Sequence, residues 1–191
     1  MPEHPPDRRP TPEPGDDLTP LSVRRSFAFV DLCGFSAFVE EEGQGRAYQV
    51  LTEARSAIRV RSSQHGVRVD KWLGDGALLV GTVTHRLVSS VLDMVEEVSS
   101  AGPLALRAGL AEGPVMVFEG DDYIGGPINL ASKLCHMASP GTVLAPKWLA
   151  EAGIPGFVLR EESLRQVRGL AGPVPVAVLG REGTLGHRRA G

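Results

Sequence analysis

Val67-Arg68-Val69-Asp70-Lys71-Trp72-Leu73-Gly74-Asp75-Gly76-Ala77-Leu78-Leu79-Val80 reads as a β-hairpin. Two-residue alternation on the first arm and a short β-branched and leucine run on the second both fit strands. Gly74-Asp75-Gly76 supplies the turn between them. A turn presents its side chains, so Asp75 is displayed rather than buried. Lys71 lies four residues earlier, near the end of the first arm. Taken alone, a lysine and an aspartate at a hairpin tip read as a surface pair of little energetic worth.

A second carboxylate changes that reading. Ser26-Phe27-Ala28-Phe29-Val30-Asp31-Leu32-Cys33-Gly34-Phe35-Ser36 is apolar or small up to Asp31, as a central strand should be. Asp31 falls where an apolar residue is expected, and aspartate is rarely buried without a partner. One acid at a strand end is an ordinary cap or turn residue. Two, each at the tip of a strand that can lie beside the other, point to a divalent cation between them.

The 191 residues fit one domain of ordinary size. Their 42% hydrophobic and 23% charged content is that of a water-soluble globular chain. The net charge of −3 gives no general attraction to nucleic acid or anionic membrane. No apolar run approaches the ~20 residues of a membrane span, and no signal peptide is legible at the N-terminus. The two cysteines, Cys33 and Cys135, form no CxxC pair. A reducing, cytoplasmic setting is therefore expected.

Residues 1–25 hold seven of the fifteen prolines and read as a disordered tail. After Asp31 the spacing predicts a helix with Ser36 as its N-cap. The Cys33-Gly34-Phe35 turn ahead of it reads equally as a phosphate-holding helix N-terminus or as a plain strand-to-helix turn. A break at Gly43-Gln44-Gly45 precedes a longer helix with Ala47, Val50, Leu51, Ala54 and Ile58 inward. Arg55 and Arg59 on that helix are expected to be solvated. After the hairpin, Thr84 is expected to cap a helix that buries Leu87, Val88, Val91, Leu92, Val95 and Val98, and Gly102-Pro103 ends it. A strand over 104–110 with Arg107 outward, a turn at Gly113-Pro114 and a strand over 115–118 follow. A helix from about Ile128 to Ala138 carries Asn129 and Lys133 four apart on one face. Short strands at 142–145, 157–160 and 174–179 and a loose tail over 181–191 complete the chain. The expected class is α+β: a ferredoxin-like βαββαβ core, its helices on one face of an antiparallel sheet, plus C-terminal strands.

Carboxylates without clustered His or Cys suit hard cations, Mg²⁺ or Mn²⁺. The five histidines form no HExxH, and the sequence holds neither a GxxxxGK[ST] loop nor GxGxxG. What remains is a metal-assisted displacement at phosphorus.

Phe29-Val30-Asp31-Leu32-Cys33-Gly34-Phe35-Ser36, Lys71-Trp72-Leu73-Gly74-Asp75 and Asp122 to Leu134 resemble, in order and spacing, the motifs of class III nucleotidyl cyclase catalytic domains. Pro140-Gly141-Thr142-Val143-Leu144 and residues 167–174 resemble their closing strands. The resemblance covers residues 26–180 and is similar to the compact bacterial form, with a short loop between Gly113 and Asp122. It implies adenylate cyclase activity, in which the ribose 3′-oxygen of ATP attacks the α-phosphorus to give 3′,5′-cyclic AMP and pyrophosphate. It implies two Mg²⁺ or Mn²⁺ ions per site, held by Asp31, Asp75 and the Leu32 carbonyl. Lys71 and Asp122 match the pair that reads adenine, and Asn129 matches the residue that orients the ribose. Cys33, Gly34 and Phe35 match the phosphate turn. Lys133 stands where the family usually has arginine, and a point charge replaces a planar fork. The resemblance implies a homodimer whose sites are shared, metal acids from one subunit and base and ribose contacts from the other. The lysine leaves a second reading, a slow or non-catalytic nucleotide-binding partner of another cyclase.

Overall fold

The computed structural model describes residues 22–119, 122–151 and 156–182. In chain order it forms β1 (Ser22–Leu32), α1 (Phe35–His65), β2 (Arg68–Leu73), β3 (Gly76–Gly81), α2 (Thr84–Ala101) and β4 (Leu106–Phe118). There follow β5 (Asp122–Ile124), α3 (Gly126–Met137), β6 (Val143–Pro146), α4 (Lys147–Glu151), β7 (Phe157–Gln166) and β8 (Pro173–Arg181). The strands form one eight-stranded sheet ordered β2-β3-β1-β4-β6-β8-β7, with β5 paired to β4. The first four strands are the antiparallel βαββαβ core.

Strand alternation sorts the two faces. Ala28, Val30 and Leu32 of β1, Ala77 and Leu79 of β3, and Leu106, Ala108 and Leu110 of β4 pack under α1 and α2. The alternate residues Phe27, Leu78, Val80 and Ala111 lie on the other face, against Ala131 of α3 and Tyr123 of β5. The two core helices thus share one face as expected, and α3 covers part of the opposite one. That contact requires Gly109: a Cβ there would lie 2.1 Å from the Cys135 amide nitrogen and 2.2 Å from the Ala131 carbonyl oxygen.

Several local expectations change. β1 begins at Ser22, inside the stretch read as tail, because residues 22–25 pair with residues 113–116 of β4. Residues 1–21 and 183–191 lie outside the described residues, so most of both expected tails does too. Gly113-Pro114 does not turn the chain; β4 runs through it for 13 residues. β4 pairs with β6 only at Ala108 and Gly109 and with β5 only from Met116, so at Pro114 that side has no ladder needing an N–H. β7 extends to Gln166, well past the expected 160, because β8 pairs with it throughout. The N-cap of α1 is Gly34, in the left-handed region at φ 77°, rather than Ser36. The N-cap of α2 is Val83, without a side-chain bond. Thr84 instead bridges strands, donating to Glu112 Oε2 at 2.6 Å while its oxygen meets Ser26 Oγ at 2.7 Å.

Candidate active site

Asp31 is the next-to-last residue of β1, and Asp75 lies in the turn immediately before β3, its neighbour in the sheet. Gly76 makes the approach possible: a Cβ there would lie 2.5 Å from the Val30 carbonyl oxygen and 3.4 Å from Asp31 Oδ1. On the other side of Asp31, in register on β4, stands Arg107. Its Nε and Nη2 donate to Asp31 Oδ2 at 3.0 and 2.6 Å. Arg107 was expected to point outward. It does point away from α1 and α2, but into the α3 face, where Nη1 also donates to the His136 carbonyl at 3.2 Å. The sequence reading missed this partner; an arginine alternating within an apolar strand was the available signal.

Electrostatics follow from this crowding. Partial burial pushes the Asp75 carboxyl above its ordinary value, and the Asp31 charge adds to that, with Arg107 opposing. Burial also raises the Cys33 thiol, and pushes Cys135 to about 12. Both cysteines are free thiols, in keeping with the absence of a disulfide pattern. A cavity of about 220 Å³ opens beside Asp31, lined by Leu73, Gly76, Ser132, Cys135 and His136 among others.

A hard cation fits this donor set. Among the described residues no three His, Cys, Asp or Glu side chains stand together; the oxygen donors here are the carboxylates of Asp31 and Asp75 and the Leu32 carbonyl at the end of β1. Mg²⁺ and Mn²⁺ are commonly held by one or two carboxylates, with water and substrate phosphate completing the sphere.

The second group of expected residues also assembles. Lys71 Nζ donates to Asp122 Oδ1 at 2.8 Å across 51 residues of sequence. The same oxygen accepts the Tyr123 N–H at 2.9 Å, and the Lys71 bond followed by that backbone bond holds the Asp122 carboxyl below its ordinary value. A bulge aims the lysine. The β2–β3 register shifts between Val69 and Lys71. Val69 and Trp72, three residues apart, therefore both pack toward the helices, while Arg68 reaches over the Tyr123 ring and Lys71 reaches Asp122.

The remaining positions are less gathered. The Cys33 N–H donates to the Ala105 carbonyl at 2.9 Å, so this amide of the Cys33-Gly34-Phe35 turn is already engaged. Phe35 packs against the main core. Asn129 is exposed on α3, and Lys133, one turn on, is half-buried. Lys133 Nζ lies 3.1 Å from where a Cβ on Gly169 would stand, in the β7–β8 connection.

Comparison with known proteins agrees with this architecture. The chain superposes on the guanylyl cyclase Cya2 with a TM-score of 0.75 over 86% of this chain and 95% of that one, at 20% identity. It has the fold of class III nucleotidyl cyclase catalytic domains. No protein-family model matches the sequence. The chain is 33% identical over 153 residues to a pH-sensitive adenylate cyclase of Mycobacterium tuberculosis, covering 77% of this chain and 38% of that protein. It is 32% identical over 157 residues to an uncharacterised protein of the same organism, covering 82% and 41%. The chain thus spans about two fifths of the length of these curated relatives. Among the described residues, no helix is long and apolar enough to cross a membrane.

Proposed function

We propose that the chain is an adenylate cyclase, converting ATP to 3′,5′-cyclic AMP and pyrophosphate in the cytoplasm as a signal. The observation that carries the choice of base is the Lys71–Asp122 pair. Adenine offers an acceptor at N1 and a donor amine at C6, whereas guanine offers the reverse. An ammonium has three N–H donors, so Lys71 can keep Asp122 and still donate to N1. Asp122, held ionised by that lysine, accepts from the amine.

Asp31, Asp75 and the Leu32 carbonyl would hold two divalent cations, Mg²⁺ or Mn²⁺. When bound, these supply Lewis-acid polarisation of the 3′-oxygen and neutralise charge on the leaving pyrophosphate. Arg107 orients Asp31 through its two bonds to Oδ2. Asn129 orients the ribose by hydrogen bonding. Lys133 contributes positive charge near the phosphates, in the manner of a point charge rather than a fork. The 3′-oxygen bonds to the α-phosphorus, the bond to the bridging oxygen breaks, and the hydroxyl proton leaves to solvent.

The two groups of residues belong to different sites of a homodimer, so each site takes Asp31 and Asp75 from one subunit and Lys71, Asp122 and Asn129 from its partner. Mixing Asp31→Ala protein with Lys71→Ala protein tests this directly. Each variant alone should be nearly inactive, and the mixture should regain up to about a quarter of wild-type turnover as mixed dimers form with one intact site. A mixture no more active than its parts would contradict the shared site. Lys133 favours a second reading, a nucleotide-binding partner without turnover of its own. Nucleotide bound by a dimer that makes no cyclic product would select it.

A further inference from the structure

The turn that presents Asp75 is held from behind. Arg55, on α1, donates from Nη2 to the Gly74 carbonyl at 2.6 Å. Its guanidinium carbon lies 4.8 Å from the centroid of the Trp72 ring, and that of Arg59 lies 4.9 Å from the same ring. Both arginines were expected to be solvated. They sit one helical turn apart, so both guanidinium groups reach the single aromatic ring that β2 turns toward the helix layer. Arg55 is half-buried, and its Nε is enclosed without a hydrogen-bond partner. An arginine held this way trades hydration at Nε for the Trp72 ring and one hydrogen bond, to the backbone carbonyl immediately before Asp75.

We infer that Arg55 is a positioning residue: by holding the Gly74 carbonyl and the Trp72 ring it fixes the β2–β3 turn so that Asp75 faces Asp31. The inference rests on the proposed metal role of Asp75. Residues behind a metal ligand of this kind change metal affinity by roughly 10–100-fold when removed. Arg59 stacks on the same ring, and among the described residues no hydrogen bond joins it to the turn, so it separates a contribution from stacking from one made through the Gly74 carbonyl.

The test measures Mn²⁺ binding by the electron paramagnetic resonance signal of free Mn²⁺, on full-length wild type, Asp75→Ala, Arg55→Ala, Arg55→Lys and Arg59→Ala. Thermal melts check folding, and hydrogen exchange reports on the amides of residues 74–77. Arg55→Ala is expected to weaken Mn²⁺ binding about 10-fold and to speed exchange at the turn. Arg55→Lys should recover part of the loss, because it keeps the charge without the planar fork. Arg59→Ala should lose less than threefold. If Arg55→Ala does not fold, Arg55→Lys carries the comparison, with weaker binding than wild type expected. Wild-type affinity in Arg55→Ala, alongside lost affinity in Asp75→Ala, overturns the inference. An equal loss in Arg59→Ala overturns it too, since stacking alone would then account for the effect. If Asp75→Ala binds Mn²⁺ as wild type does, the metal reading falls. Exchange then decides for Arg55 alone, and unchanged protection at residues 74–77 in Arg55→Ala overturns its hold on the turn.

Discussion

Arg107 places two N–H donors on a single oxygen of Asp31, Oδ2, at 3.0 and 2.6 Å. One carboxylate of the candidate metal pair is thus neutralised from β4, while the other, Asp75, stands in the turn just before neighbouring β3. Both members of the ion pair are about three-quarters buried, so removing one leaves a poorly solvated charge. Arg107→Gln is expected to lower stability by roughly 1–3 kcal/mol in metal-free protein. Added Mn²⁺ should restore part of that loss, because a cation bound at Asp31 and Asp75 replaces the missing positive charge. Thermal melts with and without Mn²⁺ check both halves; a loss that Mn²⁺ does not reduce would separate Arg107 from the metal pair.

Glu112 gives a pH signature. Burial pushes its carboxyl up, but the Thr84 and Arg24 hydrogen bonds and the Arg24 charge outweigh burial and hold it below its ordinary value. A depressed carboxylate contributes stability that is present above its unfolded pKa and lost as pH falls through its folded pKa. Glu112→Gln should therefore cost roughly 0.5–1 kcal/mol near neutrality, with Arg24 largely exposed and the pair screened by solvent. The difference from wild type should shrink as the pH falls through the acidic carboxylate range. Urea titrations across that range measure it, and a difference independent of pH would contradict the assignment.

Gly109 is a packing requirement of the α3 face. The nearest atoms to an added Cβ are backbone atoms of α3, at 2.1 and 2.2 Å, which cannot rotate away. Gly109→Ala should destabilise by ~2–3 kcal/mol or more and shift α3 outward. Because α3 carries Asn129 and Lys133, turnover should fall more steeply than nucleotide binding. Denaturant titration and single-turnover rates report the two effects, and a neutral Gly109→Ala would contradict the close packing of α3 on β4.

Lys133→Arg is expected to raise turnover, by about 10-fold, if the lysine stands where a fork-shaped cation works better. The ATP KM should change little. Equal turnover with unchanged folding would mean that Lys133, beside Gly169, does not serve the phosphates.

The features legible in the sequence are those fixed by short-range pattern. Asp31 and Asp75 interrupt or end apolar strand runs, and the alternation around them gives their strands. Lys71 and Asp122 were legible only through their motif context, and nothing in the sequence foretold the bulge at Asp70 that turns Lys71 toward β5. Arg107 and Arg55 were misjudged for a common reason. Each alternates or recurs as a solvated residue would, and each meets a partner far along the chain, Asp31 or Trp72 and Gly74. Pattern tells which way a side chain points from its own element, not what another element brings to meet it. Pro114 misled similarly, because a proline that would break a central ladder is harmless where one side of the strand is unpaired.

The most direct test of the central claim is product analysis by mass spectrometry. Purified protein is given ATP, and separately GTP, with Mg²⁺ and with Mn²⁺, alongside Asp31→Ala and Asp75→Ala. The account predicts cyclic AMP from ATP, little cyclic GMP from GTP, and neither product from the two variants. Cyclic GMP as the main product, or no cyclic product from folded wild-type dimer that binds ATP, would contradict it.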